Sequence, residues 1–224
     1  MPTSYYIVTT DIVKKLIQDN DILGLEQYLQ NLEKDRVYHV LSHAVDVANT
    51  KVLNHFANLI TTQYIPNGNA YNLLHLATEN YVSDHKNLDK LETIKIILEN
   101  GKNNDGNNFN SGIAMRCLIP FLNDNITDLV VLDLFVSYDI SIWDLYHYSI
   151  AWNYPKVFDM ILEKYSGKID FNWLSHACNI ATSFNHMEMA EYATIRTKAK
   201  QYGIKCHIDN IDYALKAYNK IKKI

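Results

Sequence analysis

The chain has 224 residues, 48% of them hydrophobic, and a formal net charge of -4 at pH 7. Its length and apolar content are sufficient for a packed core without disulfides or structural metals. The 21 basic residues are scattered and outnumbered by acidic ones, so the chain lacks the basic stripe that nucleic-acid binding requires. We therefore expect no nucleic-acid partner.

Signals for export and membrane insertion are missing from the sequence. The first fifteen residues lack a basic region followed by an apolar run, and no segment approaches the roughly 20 apolar residues that span a bilayer. Cys117, Cys178 and Cys206 are odd in number and widely spaced, which indicates reduced thiols. We expect a soluble chain in the cytoplasm, with no membrane partner.

Six pairs of short helices are predicted in chain order, the second helix of each following a polar turn. The pairs are 12–21 with 22–32, 40–50 with 51–60, 69–80 with 90–101, 113–125 with 128–141, 145–154 with 155–172, and 173–185 with 186–195. A last amphipathic helix at 208-224 carries Ile211, Leu215, Tyr218 and Ile221 on one face and is predicted to cap the final pair.

The third pair carries the most specific signal. Its helices, NAYNLLHLATEN and KLETIKIILENG, have apolar residues at the spacing of buried helical stripes, namely Leu74, Leu76, Ala77, Leu91, Ile94, Ile97 and Leu98. The segment resembles the TPLHLA…VVKLLLEAG core of an ankyrin repeat, and the pairs recur at roughly the 33-residue ankyrin period. HEAT-like and tetratricopeptide-like arrays have a similar periodicity and remain alternatives.

This resemblance implies an all-α fold, an ankyrin-like solenoid of about six helix-turn-helix repeats with terminal capping helices. Residues 1-224 would form a single domain with approximate repeats 11-37, 38-68, 69-110, 111-142, 143-171 and 172-207 and a C-terminal cap at 208-224. The apolar strip 4–10 would cap the first repeat. Insertions at 81–89 and 101–112 are predicted to be exposed loops.

The chain also departs from the ankyrin pattern. The Thr-Pro that begins the first helix is absent, and Asn49 and Asn153 replace the glycine of the helix-helix turn. Asparagine tolerates a left-handed backbone better than other non-glycine residues, so both are predicted to adopt it. Only Gly101 retains the glycine that ends the second helix.

The nine histidines raise the question of a metal or catalytic site. His75 and His147 occupy the position of the TPLH histidine, where the resemblance implies a hydrogen-bonding clasp between turns. His39 and His43 form an HxxxH pair, but no third ligand accompanies them, so no metal is predicted. Cys178 lies two residues from His176, on a different helix face, and is predicted to be a core residue.

Nucleotide-binding and hydrolase patterns are also missing. The sequence contains no P-loop, Rossmann fingerprint or G-x-S-x-G motif, so we expect no cofactor and no catalytic residues. An enzyme on a helical scaffold would need a pocket with converging titratable groups.

Ankyrin proteins bind partners through the concave face, near the end of each first helix. Carried over by position, the resemblance implies the protein-binding residues Asp46, Val47, Glu79, Asn80, Trp152, Asn153, Ser183 and Phe184. Trp152 and Phe184 stand out, because an aromatic side chain filling a partner pocket is worth ~2 kcal/mol. The alternative for Trp152 is that it fills a gap between repeats. Trp143 and Trp173 suit equally a place in the core or in the finger-like loops between repeats. Tyr64, Tyr71 and Tyr154 suit a recognition surface.

We therefore expect a non-catalytic protein-protein interaction module that binds a partner protein through a concave face. Lysine outnumbers arginine eighteen to three, which is typical of AT-rich genomes such as those of large DNA viruses and intracellular bacteria, although some free-living eukaryotes share it. A specific version is a viral or pathogen protein that engages a host signalling factor in the host cytoplasm. The alternative is a structural or regulatory subunit that self-assembles through helical hairpins.

Overall fold

A computed structural model describes residues 3–61, 69–101, 114–125, 129–138, 142–170 and 172–201. Every regular element in these ranges is a helix. The α-helices are α1 (Thr3–Gln18), α2 (Ile22–Tyr28), α3 (Lys34–Asp46), α4 (Thr50–His55), α5 (Asn69–Ser83), α6 (Leu88–Asn100), α7 (Met115–Asp124), α8 (Val130–Ser137), α9 (Ile142–Ala151), α10 (Pro155–Tyr165), α11 (Trp173–Ser183) and α12 (Met187–Gln201). Short 3-10 helices follow α4 at Ala57–Leu59 and α10 at Ser166–Lys168. The prediction of an all-α protein is confirmed.

One turn geometry joins the first helix to the second in four of the described pairs. The residue two positions past the first helix adopts a left-handed backbone, with φ of 51° at Asn20 and Ala48, 62° at Asn153 and 64° at Asn185. In the second pair, the Ala48 N–H donates to the Val45 carbonyl at 3.0 Å and the Asn49 N–H to the Ala44 carbonyl at 2.8 Å. These two bonds define a Schellman motif, which satisfies carbonyls that the helix end leaves unpaired.

The residue after each left-handed position immediately precedes the second helix. Asp21 accepts from the Gly24 N–H at 2.9 Å and Asn49 from the Val52 N–H at 3.1 Å, so both are side-chain N-caps. The prediction of a left-handed Asn49 is therefore wrong, because Ala48 takes that conformation and leaves Asn49 to cap α4. The same prediction is correct for Asn153. Gly101 ends α6 with a φ of -78°, so its place does not require glycine.

The helices form two compact units, divided as Met1–Leu118 with Val130–Ile140, and Ile119–Leu129 with Ser141–Ile224. Unit 1 contains α1 to α6 and α8, unit 2 contains α9 to α12, and α7 is divided between them. In unit 1, α1 packs on α3 and α3 on α5, while α4 packs on α6. In unit 2, α9 packs on α11 and α10 on α12. Within each unit, first helices therefore lie beside first helices and second beside second. The single repeat domain over 1-224 stays a prediction.

The core of unit 1 is mostly aliphatic, with Phe135 as a fully buried aromatic side chain. Its fully buried side chains include Val13, Leu25, Val37, Leu41, Leu53, Ile94 and Ile97. In the third pair, Leu74 and Ala77 are buried as predicted, but Leu76 and Leu91 are only half-buried. Leu73, which the stripe analysis did not include, is buried instead.

The predicted exposed loop at 81–89 is largely helical. α5 continues to Ser83 and α6 begins at Leu88, so only 84–87 connect them. Tyr81 lies in the last turn of α5 with 2% of its surface exposed. Because Tyr81 is buried, α5 extends into a region whose polar residues had predicted a loop.

Other predictions fall at element ends or outside the described residues. The strip 4–10 is part of α1, and its role as a cap of the first repeat stays a prediction. Trp143 and Trp173 lie within the first turns of α9 and α11 rather than before them. The insertion from 102 onward, Tyr64, Cys206 and the C-terminal cap at 208-224 lie outside the described residues.

Candidate protein-binding surface

The predicted binding residues lie near the ends of first helices, and we call the side of a unit where first helices end and second helices begin its turn edge. In unit 1 the turn edge comprises residues 19–23, 46–51 and 84–89. In unit 2 it comprises residues 152–155 and 184–187. Each set includes the turns and the first residues of the helices that follow.

Side-chain amides join neighbouring turns in unit 1. Asn49 donates from Nδ2 to the Ile17 carbonyl at 2.8 Å and to Asn20 Oδ1 at 3.1 Å, which binds the second pair to the first. Asn80 donates from Nδ2 to the Val45 carbonyl at 3.2 Å and the Asp46 carbonyl at 3.4 Å, which binds the third pair to the second. Both amides satisfy carbonyls at a helix C-terminus. The C-terminal ends of α1, α3 and α5 are therefore connected along this edge.

A histidine plays the corresponding part in unit 2. His186 Nδ1 lies 2.8 Å from the Ala151 carbonyl, at the last residue of α9. This contact requires that Nδ1 carry the proton, because a carbonyl only accepts. It brings the turn after α11 against the turn after α9, so Phe184 and Trp152 belong to the same edge.

The predicted binding residues differ in how much of each side chain is free. Val47 and Phe184 are exposed over 53% and 56% of their surfaces. Exposure is also high at Asp46, Glu79, Asn153 and Ser183. Asn80 is half-buried, with its amide engaged in the contacts described above. Trp152 is half-buried and stacks on Tyr148, one turn earlier in α9, at a ring-centroid distance of 4.5 Å. This stacking partner is on the same helix, not on a neighbouring pair.

Sequence analysis missed other exposed apolar residues at the same edges. Leu23 is 70% exposed in the first turn of α2, Leu88 is 76% exposed at the start of α6, and Met187 is 53% exposed at the start of α12. The sequence carries a signal for these residues. Each is a large apolar residue within two positions of a helix N-cap, at a place where the buried stripe of the helix does not require an apolar side chain. The concave-face rule considered only the ends of first helices.

His147 does not form the clasp that the resemblance implied. His147 is buried, yet its Nδ1 has no hydrogen-bond partner, and its ring stacks on Trp143 at 4.5 Å. Burial, and to a lesser extent nearby His176, lowers the pKa of His147. His75 Nδ1, in contrast, lies 3.7 Å from the Sγ atom of Cys117, which joins α5 to α7 of the next pair. Because its pKa is lowered, the His147 imidazole is neutral at pH 7 and packs as an aromatic ring.

The HxxxH pair is formed on one face of α3. The Nε2 atoms of His39 and His43 lie 3.1 Å apart, a distance at which one neutral ring donates to the other. Burial is the main cause that lowers the pKa of both, with Lys14 adding to the effect. Among the described residues, no group of three or more His, Cys, Asp or Glu could hold a metal ion.

Burial disfavours the thiolate form of both described cysteines. Burial raises the pKa of Cys117 to about 11, and burial also raises the pKa of Cys178. Cys178, predicted to be a core residue, is half-buried, and its Sγ lies 3.4 Å from the Ala190 carbonyl. A nucleophilic cysteine acts as the thiolate, which a raised pKa disfavours.

Comparisons of the chain with known proteins found no relative: no family model, no curated protein and no solved structure matches it. Within the described part of the chain, no helix is long and apolar enough to cross a membrane. The fold and the surface thus define an all-helical protein of paired helices, whose turn edges expose apolar side chains.

Proposed function

We propose that the protein is a non-catalytic protein-binding module, an ankyrin-like solenoid of about six helix pairs that binds a partner protein. The binding surface comprises the ends of the first helices and the adjoining turns, on the hollow side of the solenoid. The neighbour pattern supports this arrangement, since first helices pack on first helices and second on second within each unit. Such in-line packing is typical of repeat proteins.

One observation carries the proposal. Five large apolar residues that are at least half exposed lie at turn edges, namely Leu23, Val47, Leu88, Phe184 and Met187. Single exposed apolar residues are common, but a concentration at one structural position indicates an interaction site. Burial of such side chains is the main source of affinity in protein interfaces.

Photo-crosslinking tests this function. A benzophenone amino acid would replace Val47 in one variant and Phe184 in another, with an exposed position away from the edges, Lys34, as the control. We expect both edge variants to capture the same protein from a lysate, in a manner that excess wild-type protein abolishes. Equal capture by the Lys34 variant, or no saturable capture at all, would contradict the proposal.

The pathogen version is a finer proposal, supported by an amino-acid composition typical of AT-rich genomes and by the divergence of the repeats. It places the protein in the host cytoplasm, bound to a host signalling factor. Affinity purification from a host lysate with wild type and Trp152→Ala in parallel tests both the partner and the edge. Recovery of no saturable host protein would remove this version.

Self-assembly is a second candidate, supported by a groove in unit 2. The groove has a volume of ≈ 400 Å³ and lies between α11 and α12, lined by Cys178, Thr182, Met187, Ala190, Glu191, Thr194 and Ile195. A second copy could insert an apolar side chain there. Sedimentation equilibrium separates the candidates, because a stable homo-oligomer that Met187→Glu dissociates favours self-assembly, whereas a monomer favours the binding module.

A further inference from the structure

Three exposed apolar residues follow one another along the turn edge of unit 1. Leu23, Val47 and Leu88 are 70%, 53% and 76% exposed, and each lies in or just after the turn of a different helix pair. The amides of Asn49 and Asn80 join the ends of the first helices α1, α3 and α5 of these pairs. Helices packed side by side lie roughly 8–10 Å apart, so Leu23 and Leu88, at the starts of second helices two pairs apart, mark the ends of an apolar row about 20 Å long. Val47 lies at the end of the first helix of the pair between them.

Acidic side chains accompany this apolar row. Asp19 and Asp46 are exposed at the C-terminal ends of α1 and α3. A helix C-terminus carries partial negative charge, so an aspartate there is locally unfavourable by a few tenths of a kcal/mol. Helix stability therefore does not explain why both positions are acidic.

The remaining charges of the edge leave it negative. Asp21 caps α2, Asp89 lies in the first turn of α6, where the helix dipole favours it, and Asp84 pairs with Lys90 at 3.6 Å. Lys51 and Lys86 are exposed cations of the same turns. The five aspartates outnumber these three lysines.

We propose that the turn edge of unit 1 binds an amphipathic helix whose apolar residues recur every seventh position and are flanked by lysine or arginine. Seven residues of α-helix rise about 10.5 Å, which matches the spacing between neighbouring helix pairs. In an extended strand, side chains on one face repeat at roughly 6.6 or 13 Å, neither of which matches. This inference rests on the proposed function and specifies the class of partner.

The two kinds of contact have different tasks. The apolar row buries the leucines of the partner helix and supplies affinity, while the acidic side chains select a basic partner and accelerate association. Because the acidic groups are exposed, salt screens their contribution. Binding is therefore expected to weaken as salt is raised, but not to disappear.

Three labelled peptides of about 21 residues test the surface by fluorescence anisotropy. The first is helical, with leucine at every seventh position and lysine beside each; the second has glutamate in place of lysine; the third has the composition of the first with the leucines moved off one face. The first peptide should bind at least about tenfold more tightly than either of the others.

Variants of the protein identify where the peptide binds. Leu23→Ser with Leu88→Ser should weaken the first peptide by about tenfold or more, whereas Ile12→Ser with Leu32→Ser, at exposed apolar positions off the edge, should not. Asp19→Asn with Asp46→Asn should reduce both the affinity and its salt dependence. Asp11→Asn with Asp35→Asn changes the net charge equally and should leave both unaltered, since these exposed aspartates lie elsewhere.

The inference is overturned if the second or third peptide binds as tightly as the first, or if the edge variants bind like their matched controls. Its failure is distinguishable from failure of the proposed function. Saturable crosslinking at Val47 together with a negative peptide result would support the protein-binding function and reject only a basic amphipathic helix as the partner. Absence of both would remove the function and the inference together.

Discussion

The two units repeat one helix-pair plan but join neighbouring pairs by different chemistry. In unit 1 the joints at the turn edge are neutral amides, where Asn49 and Asn80 donate to backbone carbonyls. The second helices α2 and α4 are joined only by an exposed contact of His55 Nε2 with Glu26 Oε1 at 2.8 Å among the described side-chain contacts between them. In unit 2 a charged network joins the second helices: Arg196 Nε donates to Asp159 Oδ1 at 2.8 Å, and Tyr192 donates to Asp159 Oδ2.

The network continues along the surface of α10. Arg196 Nη2 lies 3.7 Å from Glu163 Oε1, and Lys200 donates to Glu163 Oε2 at 2.7 Å. The Arg196 side chain is only 7% exposed, so its charge depends on these partners for compensation. The contrast shows that the geometry of the helix pairs does not determine which side-chain interactions join them. The two units should therefore lose different amounts of stability when one interacting side chain is removed.

Removal of the buried cation should have the largest effect. We expect Arg196→Met to lower the free energy of unfolding by about 3 kcal/mol, because Asp159 is left without a counter-charge in a site that is largely dry. Urea denaturation measures the change. In the exposed pair of Arg36 with Glu33, which are 2.9 Å apart, Arg36→Met should cost at most about 0.5 kcal/mol. Equal costs would erase the contrast between buried and exposed charge.

The amide joint of unit 1 should be next in size. Asn49→Ala removes the N-cap of α4 and the contact with Ile17, so we expect a loss of about 2 kcal/mol. Asn49→Ser retains a capping hydroxyl but cannot reach the first pair, and should cost about half as much. Urea denaturation of both variants separates cap from joint, and a serine variant as stable as wild type would show that the joint contributes nothing.

A buried neutral hydrogen bond in unit 2 allows a comparison without charge. The Oη of Tyr146 and the Oγ1 of Thr197 are 2.9 Å apart in a site with no solvent exposure at the tyrosine. We expect Tyr146→Phe to cost about 1 kcal/mol, because it leaves the threonine hydroxyl buried without this partner. The double variant with Thr197→Val should recover part of that loss, and additive costs would contradict the pairing.

Acidification should produce the smallest effect. The folded-state pKa of His147, lowered mainly by burial, lies below the ordinary histidine value of about 6.5, so the unfolded chain binds more protons as the pH falls through that value. Stability is therefore fully present above pH 6.5 and declines below it. His147→Phe keeps the ring on Trp143 and should reduce the decline measured by urea denaturation between pH 7 and about pH 5.5.

The same argument applies to the histidine pair of unit 1. His39 and His43 also have lowered pKa values, mainly through burial, so replacing both with asparagine should flatten the pH dependence further. A steeper decline in either variant would reverse the assigned sign.

Local signals predicted much of the helical framework. The second helices were expected to begin at 22, 51 and 155, and they begin at Ile22, Thr50 and Pro155. These positions are marked by a nearby N-cap or proline and by apolar periodicity, both of which act within one or two turns. Signals of this range are readable in the chain because they involve only near neighbours.

Where predictions from neighbouring residues failed, contacts between residues distant in the sequence determined the structure. Tyr81 was assigned to a loop for its polar neighbours, but packing holds it in a helix. Among the proposed binding residues, Val47 is exposed whereas Asn80 reaches carbonyls more than thirty residues away in the sequence. Nothing adjacent to either residue distinguishes their roles.

By itself, the sequence determined an all-helical protein of repeated pairs, because hydrophobic periodicity and capping residues act over a few positions. The tertiary structure alone decided that Arg196 is buried with Asp159, that His147 lacks a partner at Nδ1, and that exposed leucines gather at the turn edge. Each of these properties depends on which helix lies beside which, and burial is a property of neighbours that are distant in the chain.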